Sequence, residues 1–285
     1  MAPGPRWRAL VDEAVGRGIP GAEVRRIVEH VTGVDDGAAV TVLDDEAPER
    51  QADRFDALVA RRSAGEPLQY VLGSWGFRGL DLLVDRRVLI PRPETEWVVE
   101  QALGLLPAGS DAGSQVVVDL GTGSGAIALS IAQERFPHVR VVATDVSDDA
   151  LDVARANLAG LGRRAAAVEL HLGSWWDAVP PELQGGLDLV VSNPPYIGAD
   201  EALPPEVADW EPRGALVPGA AGTEDLEVVL AGAAEWLRPG GWVVCEIGET
   251  QGAAVAAIAA AAGLVDVAVR PDLSGRDRMV VARRP

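Results

Sequence analysis

The stretch QVVVDLGTGSGAIALSIAQER, residues 115–135, decides the fold, because it joins an apolar run, a glycine-rich turn and a helical pattern in that order. QVVVDL has the composition of a buried strand, and AIALSIAQER repeats its apolar residues with helical spacing. The glycines between them let a ligand approach the backbone closely, and the first turn of the helix presents N–H groups that lack partners within the helix. This order predicts a ligand site at the carboxyl end of a parallel strand.

The chain beyond this stretch repeats the alternation of strand and helix. Further strands are predicted over residues 139–145, 166–172, 187–192 and 241–247, and helices over residues 124–135, 148–160, 224–237 and 250–263. We expect PAGSDAGS, residues 107–114, to form a surface loop before the first strand. The alternation predicts an α/β fold with a doubly wound, mostly parallel sheet.

The N-terminal part has a different character. Helical patterns cover residues 7–17, 22–33 and 48–62, and short β-like runs follow between residues 66 and 93. We therefore predict a small all-α domain with a β-hairpin connector at its end, residues 1–85, and a catalytic domain, residues 86–285. Because the first of these contains no glycine loop, paired catalytic groups or metal-ligand spacing, we expect it to recognise the substrate.

The composition limits the classes of function. The formal net charge is −18 and no lysine occurs, so the surface repels a nucleic-acid backbone, and a protein or small-molecule substrate is favoured. The three histidines lack metal-ligand spacing, and Cys245 lies inside an apolar run, so we predict no metal site and a buried thiol. No apolar run is long enough to span a membrane and the start lacks a signal peptide, so a cytoplasmic protein without a membrane partner is expected.

Three details select among NAD, a flavin and S-adenosylmethionine as the ligand. The spacing is G-x-G-x-G, and Asp119 stands two residues before Gly121, where its charge repels a pyrophosphate but attracts a sulfonium and an ammonium group. Asp145 ends the second strand and is expected to accept the ribose hydroxyls, with a helix N-cap or loop carboxylate as the alternative. Trp175 and Trp176 follow the third strand, where they either cover adenine or pack in the core. The predicted cofactor is S-adenosylmethionine.

The segment Asn193-Pro194-Pro195-Tyr196 follows the fourth predicted strand, and taken alone it fits a simple turn. In this topology, however, the segment emerges at the ligand-binding edge of the sheet. A planar amide or aromatic amine nitrogen gains positive charge as it accepts a methyl group, and the Asn193 side-chain oxygen and the Pro194 carbonyl are suited to accept its N–H groups. The two prolines hold that carbonyl rigidly, and Tyr196 offers a flat face for stacking. The segment therefore predicts methyl transfer to a planar nitrogen.

Six further motifs accompany this segment: DLGTGSG (119–125), TDVS (144–147), IPRPETE (90–96), EPR (211–213), LRPGG (237–241) and EIG (246–248). With them the chain, from about residue 66 to its C-terminus, resembles the PrmC (HemK) family of protein-(glutamine-N5) methyltransferases. The resemblance implies a class I methyltransferase fold and, as methyl acceptor, the glutamine of the Gly-Gly-Gln motif in peptide chain release factors. The segment ALVPGAAGTEDLEVV, residues 215–229, departs from the usual acidic-glycine segment of the family.

The predicted site combines the residue patterns with the resemblance. The predicted donor-binding residues are Asp119, Gly121, Thr122, Gly123, Ser124, Gly125, Asp145, Trp175 and Asn193. The predicted catalytic residues are Asn193, Pro194, Pro195 and Tyr196. The expected partner is a release factor, without direct nucleic-acid binding, and the enzyme is expected to be a monomer.

Two other functions stay open on the sequence alone. An N-methyltransferase acting on an exocyclic amine of a nucleic-acid base would also carry Asn-Pro-Pro-Tyr, although such a substrate requires a basic surface. A non-catalytic protein that binds S-adenosylmethionine has no need for Asn193.

Four charged residues flank the predicted site. Arg92 and Glu94 either frame the acceptor entrance or belong to a helix start, and the helix start is favoured for Glu94. Glu211 and Arg213 are interpreted as an ion pair that braces the loop after the site.

Overall fold

The computed structural model describes residues 4–107 and 114–285, which form two compact units. One unit comprises Met1–Ser74 together with Leu203–Trp210, and the other comprises Trp75–Ala202 together with Glu211–Pro285. The loop predicted over residues 107–114 lies, apart from its two end residues, outside the described residues.

The first unit is helical, and helices appear where the sequence predicts them over residues 7–17, 22–33 and 48–62, whereas Leu68–Leu72 is a helix within the segment predicted to hold short β-like runs. Its helices are Trp7–Gly16, Gly21–Thr32, Glu49–Ser63, Leu68–Leu72 and Pro205–Ala208. Trp7 meets Phe55 edge-on in the core, with their ring centroids 5.7 Å apart. Arg62 pairs with Glu23 at 2.5 Å and with Glu206 at 2.6 Å, so one guanidinium joins the returning segment to two earlier helices.

The second unit contains a seven-stranded sheet and a two-stranded hairpin. The strands of the chain are β1 Ser74–Phe77, β2 Leu80–Leu83, β3 Gln115–Leu120, β4 Val139–Asp145, β5 Val168–Leu172, β6 Leu187–Ser192, β7 Leu237–Glu246, β8 Val265–Pro271 and β9 Asp277–Arg283. The order in the large sheet is β5-β4-β3-β6-β7-β9-β8. Strands β3 to β7 pair in parallel, whereas β9 is antiparallel to both β7 and β8.

Helices cover both faces of this sheet. They are Thr95–Leu105, Ala126–Arg135, Asp148–Ala159, Glu224–Trp236 and Gly252–Ala261. Neighbouring β3 residues enter opposite cores, since Val117 packs with Ile127 and Leu129 in one cluster while Val118 packs with Leu226 in the other. The predicted doubly wound, mostly parallel sheet is therefore confirmed.

The β1–β2 hairpin groups with the sheet unit, because Phe77 and Leu82 are buried in the same cluster as Val98. Arg78 at the turn of the hairpin pairs with Glu100 and Glu134, at 2.9 and 2.8 Å. The hairpin lies almost wholly in the second unit, whose first residue is Trp75, and a domain boundary near residue 85 stays a prediction.

The order of the strands fixes where a ligand binds. Strand β3 has β4 on one side and β6 on the other, so the direction of winding reverses between β3 and β6. In open α/β sheets the ligand crevice lies at such a reversal, outside the carboxyl ends of the strands. Among the described residues, no helix is both long and apolar enough to cross a membrane.

Candidate active site

A cavity of about 470 Å³ opens at this reversal, a volume typical of small-molecule sites. Eight of the predicted site residues line it, namely Gly121, Thr122, Gly123, Ser124, Asp145, Trp175, Asn193 and Pro195. Asp119, Gly125, Pro194 and Tyr196 are not among the lining residues. The structure therefore brings the glycine loop, the acidic strand end and the Asn-Pro-Pro-Tyr segment to one cavity.

The glycine loop is held against the end of β4. The N–H groups of Gly121 and Thr122 donate to the Thr144 carbonyl at 2.9 and 2.8 Å. Gly123 has a φ of +55°, and a Cβ at this position would meet no heavy atom within 4 Å. Because Gly123 also lines the cavity, this position keeps the backbone open to a ligand.

Asp119 supports the loop from behind. One of its oxygens, Oδ2, accepts from the Thr122 hydroxyl at 2.7 Å and from the Ala128 N–H at 3.1 Å, while Oδ1 has no hydrogen-bond partner. The side chain is fully buried, and this burial raises its pKa to about 7. Its contact with a cationic ligand stays a prediction, since the carboxylate does not line the cavity.

Asp145 lines the cavity and also holds neighbouring backbone in place through hydrogen bonds. Its two oxygens accept from the N–H groups of Gly123, at 2.8 Å, and Ser147, at 2.9 Å. The N-cap of the following helix is Ser147, whose hydroxyl accepts from the Ala150 N–H at 3.2 Å, so the N-cap interpretation of Asp145 is wrong. Burial raises the pKa of Asp145.

The two tryptophans after β5 are both partly buried against the core that contains Leu226. Trp176 stacks on Trp236 with ring centroids 5.6 Å apart and donates its indole N–H to the Val228 carbonyl at 3.0 Å. Trp175 lines the cavity, and its ring would be 3.6 Å from a Cβ placed on Gly121. Asp225, which also lines the cavity and accepts a hydrogen bond from Trp175, was not singled out from the sequence.

A hydrogen-bonded chain lies behind the Asn-Pro-Pro-Tyr segment. The Asn193 Nδ2 is 3.3 Å from the Thr95 hydroxyl, which donates to the Glu246 carboxylate at 2.7 Å. The Tyr196 hydroxyl donates to the other oxygen of Glu246 at 3.2 Å. Burial raises the pKa of Glu246 to about 7 and also raises the pKa of Tyr196. Stacking of a substrate on Tyr196 stays a prediction.

The segment that precedes the sheet is tied to the loop after the site. The buried Glu211 carboxylate accepts from the Arg92 guanidinium at 2.5 Å and from the Ile90 N–H at 3.1 Å. The predicted ion pair between Glu211 and Arg213 is therefore wrong, because Arg92 is the partner that the fold delivers. Glu94 immediately precedes the helix Thr95–Leu105, as its helix-start interpretation predicts.

A metal site requires a cluster of histidine, cysteine or acidic side chains. Within residues 4–107 and 114–285, no group of three or more His, Cys, Asp or Glu side chains is placed to hold a metal ion. Cys245 is a buried free thiol in β7, as predicted.

Two family models match the chain, one for each part. Residues 10–73 match the PrmC N-terminal domain, and residues 103–207 match the methyltransferase small domain.

Similar proteins agree with these matches. A release factor glutamine methyltransferase of Cereibacter sphaeroides is 44% identical over 98% of this chain and 97% of its own length. One from Xylella fastidiosa is 47% identical over 81% of each chain. A methyltransferase of Pyrococcus furiosus of known structure is 21% identical, with a TM-score of 0.52 over 72% of this chain and 89% of its own. The last likeness concerns the fold alone, which is of the predicted methyltransferase type.

Proposed function

Because the chain belongs to the family of release factor glutamine methyltransferases, we propose that it methylates the side-chain amide nitrogen of a glutamine in a peptide chain release factor. The observation that carries the proposal is that Asn193 lines the same cavity as the glycine loop and Asp145. A donor site and an amide-holding group in one cavity are what direct methyl transfer requires, since the two reacting atoms must meet. We assign the glutamine to the Gly-Gly-Gln motif of the release factor.

The residues of the cavity fit S-adenosylmethionine. Asp145 accepts two backbone N–H groups, which leaves lone pairs on both of its oxygens for the two ribose hydroxyls. Trp175 provides an aromatic face on the cavity wall, suited to the adenine. S-adenosylmethionine supplies a methyl group activated by its bond to a positively charged sulfur.

The acceptor nitrogen is activated by its hydrogen-bond partners. An amide nitrogen is a weak nucleophile, and positive charge develops on it as its bond to the methyl carbon forms and the bond from that carbon to the sulfonium sulfur breaks. The nitrogen then loses one proton to water, which gives the neutral methylated amide and a neutral thioether. The Asn193 Oδ1 and the Pro194 carbonyl accept its two N–H groups, which stabilises this charge and orients the nitrogen. Since Pro194 and Pro195 fix two φ angles, the carbonyl needs little reorganisation during the reaction.

We assign recognition of the release factor to the helical unit, Met1–Ser74 with Leu203–Trp210. A flexible glutamine loop offers few contacts, so a second surface is needed for affinity, and the two contacts strengthen each other through effective concentration. The match of residues 10–73 to the PrmC N-terminal domain supports the assignment. We expect a monomer that acts in the cytoplasm.

Direct action on a nucleic-acid base is disfavoured. The formal net charge of −18 repels the phosphate backbone at long range, and the relative from Cereibacter sphaeroides, similar over 98% of this chain, is a release factor glutamine methyltransferase.

The substrate class can be tested by offering the protein three kinds of macromolecule together with methyl-labelled S-adenosylmethionine. Purified release factor, RNA and DNA are incubated separately, and label in each macromolecule is counted against time. The proposal predicts label in the release factor and none in either nucleic acid. Label in RNA or DNA alone would contradict it.

A further inference from the structure

Glu246 is a buried carboxylate to which neither the donor site nor the acceptor site assigns a role. Glu246 is the last residue of β7, which pairs with β6, and only 1% of its surface is exposed. Burial of a charged group is costly unless hydrogen bonds replace its water. The hydrogen bonds that replace this water connect Glu246 to the segment that follows β6.

The carboxylate binds both ends of the Asn-Pro-Pro-Tyr segment. The Tyr196 hydroxyl donates to its Oε1 at 3.2 Å. The Thr95 hydroxyl donates to its Oε2 at 2.7 Å and is itself 3.3 Å from the Asn193 Nδ2. One buried group thus holds the first residue of the segment through a single intermediate, and the last residue directly.

The direction of these hydrogen bonds decides which atom of Asn193 faces Thr95. A threonine hydroxyl has one hydrogen, and Glu246 accepts it, so toward Asn193 the Thr95 oxygen acts only as an acceptor. The amide group next to Thr95 must then be the NH₂ of Asn193, which leaves Oδ1 for the substrate. A reversed amide would set its own N–H groups against those of the glutamine and lose the acceptor.

We propose that Thr95 and Glu246 are positioning residues that fix the Asn193 side-chain amide, with its oxygen reserved for the glutamine N–H. This inference rests on the proposed function. The helix Thr95–Leu105 delivers the hydroxyl and β7 delivers the carboxylate, so two separate elements set the orientation of a residue at the end of β6.

The polarity of these hydrogen bonds depends on the ionisation of Glu246. Burial and the nearby Glu94 raise its pKa to about 7, while the hydrogen bonds from Thr95 and Tyr196 and the nearby Arg278 favour the charged form. The carboxylate is the form that accepts from both hydroxyls, so the polarity of the chain is preserved above this pH.

The test is a double-mutant cycle on the full-length protein, measured as single-turnover methylation of a release factor. Thr95→Val removes the hydroxyl at almost constant volume, and Thr95→Ser keeps it. We expect Thr95→Val to slow the reaction roughly tenfold or more, while Thr95→Ser stays within roughly threefold of the wild type. In an Asn193→Ala background, Thr95→Val should change the rate by less than about twofold, because there is no amide left to orient.

The matched control is Thr223→Val, the same change at another helix start, where the hydroxyl contacts the exposed Glu227 at 3.2 Å. It should keep the wild-type rate. Thr95 also lines the cavity, so donor affinity is measured by calorimetry in all Thr95 variants and should change far less than the rate.

Three outcomes would overturn the inference: a wild-type rate in Thr95→Val, an equal loss in both backgrounds, or no recovery with Thr95→Ser. Failure of the wild type to methylate the release factor would instead contradict the proposed function, so the two failures are distinguishable.

Discussion

Replacement of Asp119 by asparagine should change how the stability of the protein depends on pH. Asp119 is fully buried, and its Oδ1 has no hydrogen-bond partner, so the fold holds a carboxyl group whose charged form is poorly solvated. Burial raises its pKa from 3.8 to about 7. In asparagine the oxygen can still accept from Thr122 and Ala128, while the titrating group is lost.

The direction in which stability changes with pH follows from proton binding. Between the unfolded pKa and the raised folded pKa, the folded state binds more protons than the unfolded state, so the free energy of unfolding falls as the pH rises. This loss of stability from the charged Asp119 carboxylate is absent below the unfolded pKa and fully present above about pH 7. As the pH rises from 5 to 8, the free energy of unfolding of the wild type should fall by about 3 kcal/mol more than that of Asp119→Asn. This figure follows from 1.36 kcal/mol per pKa unit.

The assay is urea unfolding followed by tryptophan fluorescence at several pH values from 5 to 8. Asp56→Asn, the same change at an exposed site on the helix Glu49–Ser63, is the matched control and should keep the wild-type pH profile. Any fixed cost of the new asparagine N–H groups is present at both pH values and cancels in the comparison. Parallel profiles for the wild type and Asp119→Asn would contradict the presence of a buried, poorly solvated carboxylate at this position.

Three further predictions concern the reaction. Asn193→Ala should slow methyl transfer by about 3 kcal/mol, on the order of a hundredfold, with donor affinity by calorimetry nearly intact; an unchanged single-turnover rate would contradict its role. Asp145→Ala should instead weaken donor binding, while the rate at saturating donor changes far less; equal donor affinity in the two proteins would exclude contact with the ribose. A protein lacking residues 1–64, once shown by circular dichroism to be folded and by calorimetry to bind donor, should show a strongly raised KM for intact release factor. An undiminished kcat/KM in that truncated protein would remove the recognition role from the helical unit.

Local patterns in the sequence predict much of the fold. The strand, glycine turn and helix of residues 115–135 depend on neighbouring residues, and they appear as predicted. Strands β8 and β9 were missed, because β8 at the sheet edge is largely exposed and lacks an apolar run. The antiparallel pair also has no intervening helix, so it breaks the alternation on which the prediction rested.

Contacts between distant residues could not be predicted in the same way. Arg92 pairs with Glu211, 119 residues away, whereas sequence proximity suggested Arg213. Thr95 meets Glu246 across 151 residues, and neither side chain carries a local signal of that contact. The donor loop was therefore predictable from one sequence, while the support behind Asn193 required the fold.

The location of the transferred methyl group tests the central claim most directly. A release factor is incubated with the protein and S-adenosylmethionine, digested, and sequenced by tandem mass spectrometry, beside a release factor whose Gly-Gly-Gln glutamine is replaced by alanine. We expect one added methyl group on the amide nitrogen of that glutamine and none in the alanine form. A methyl group on any other residue, or equal methylation of both release factors, would contradict it.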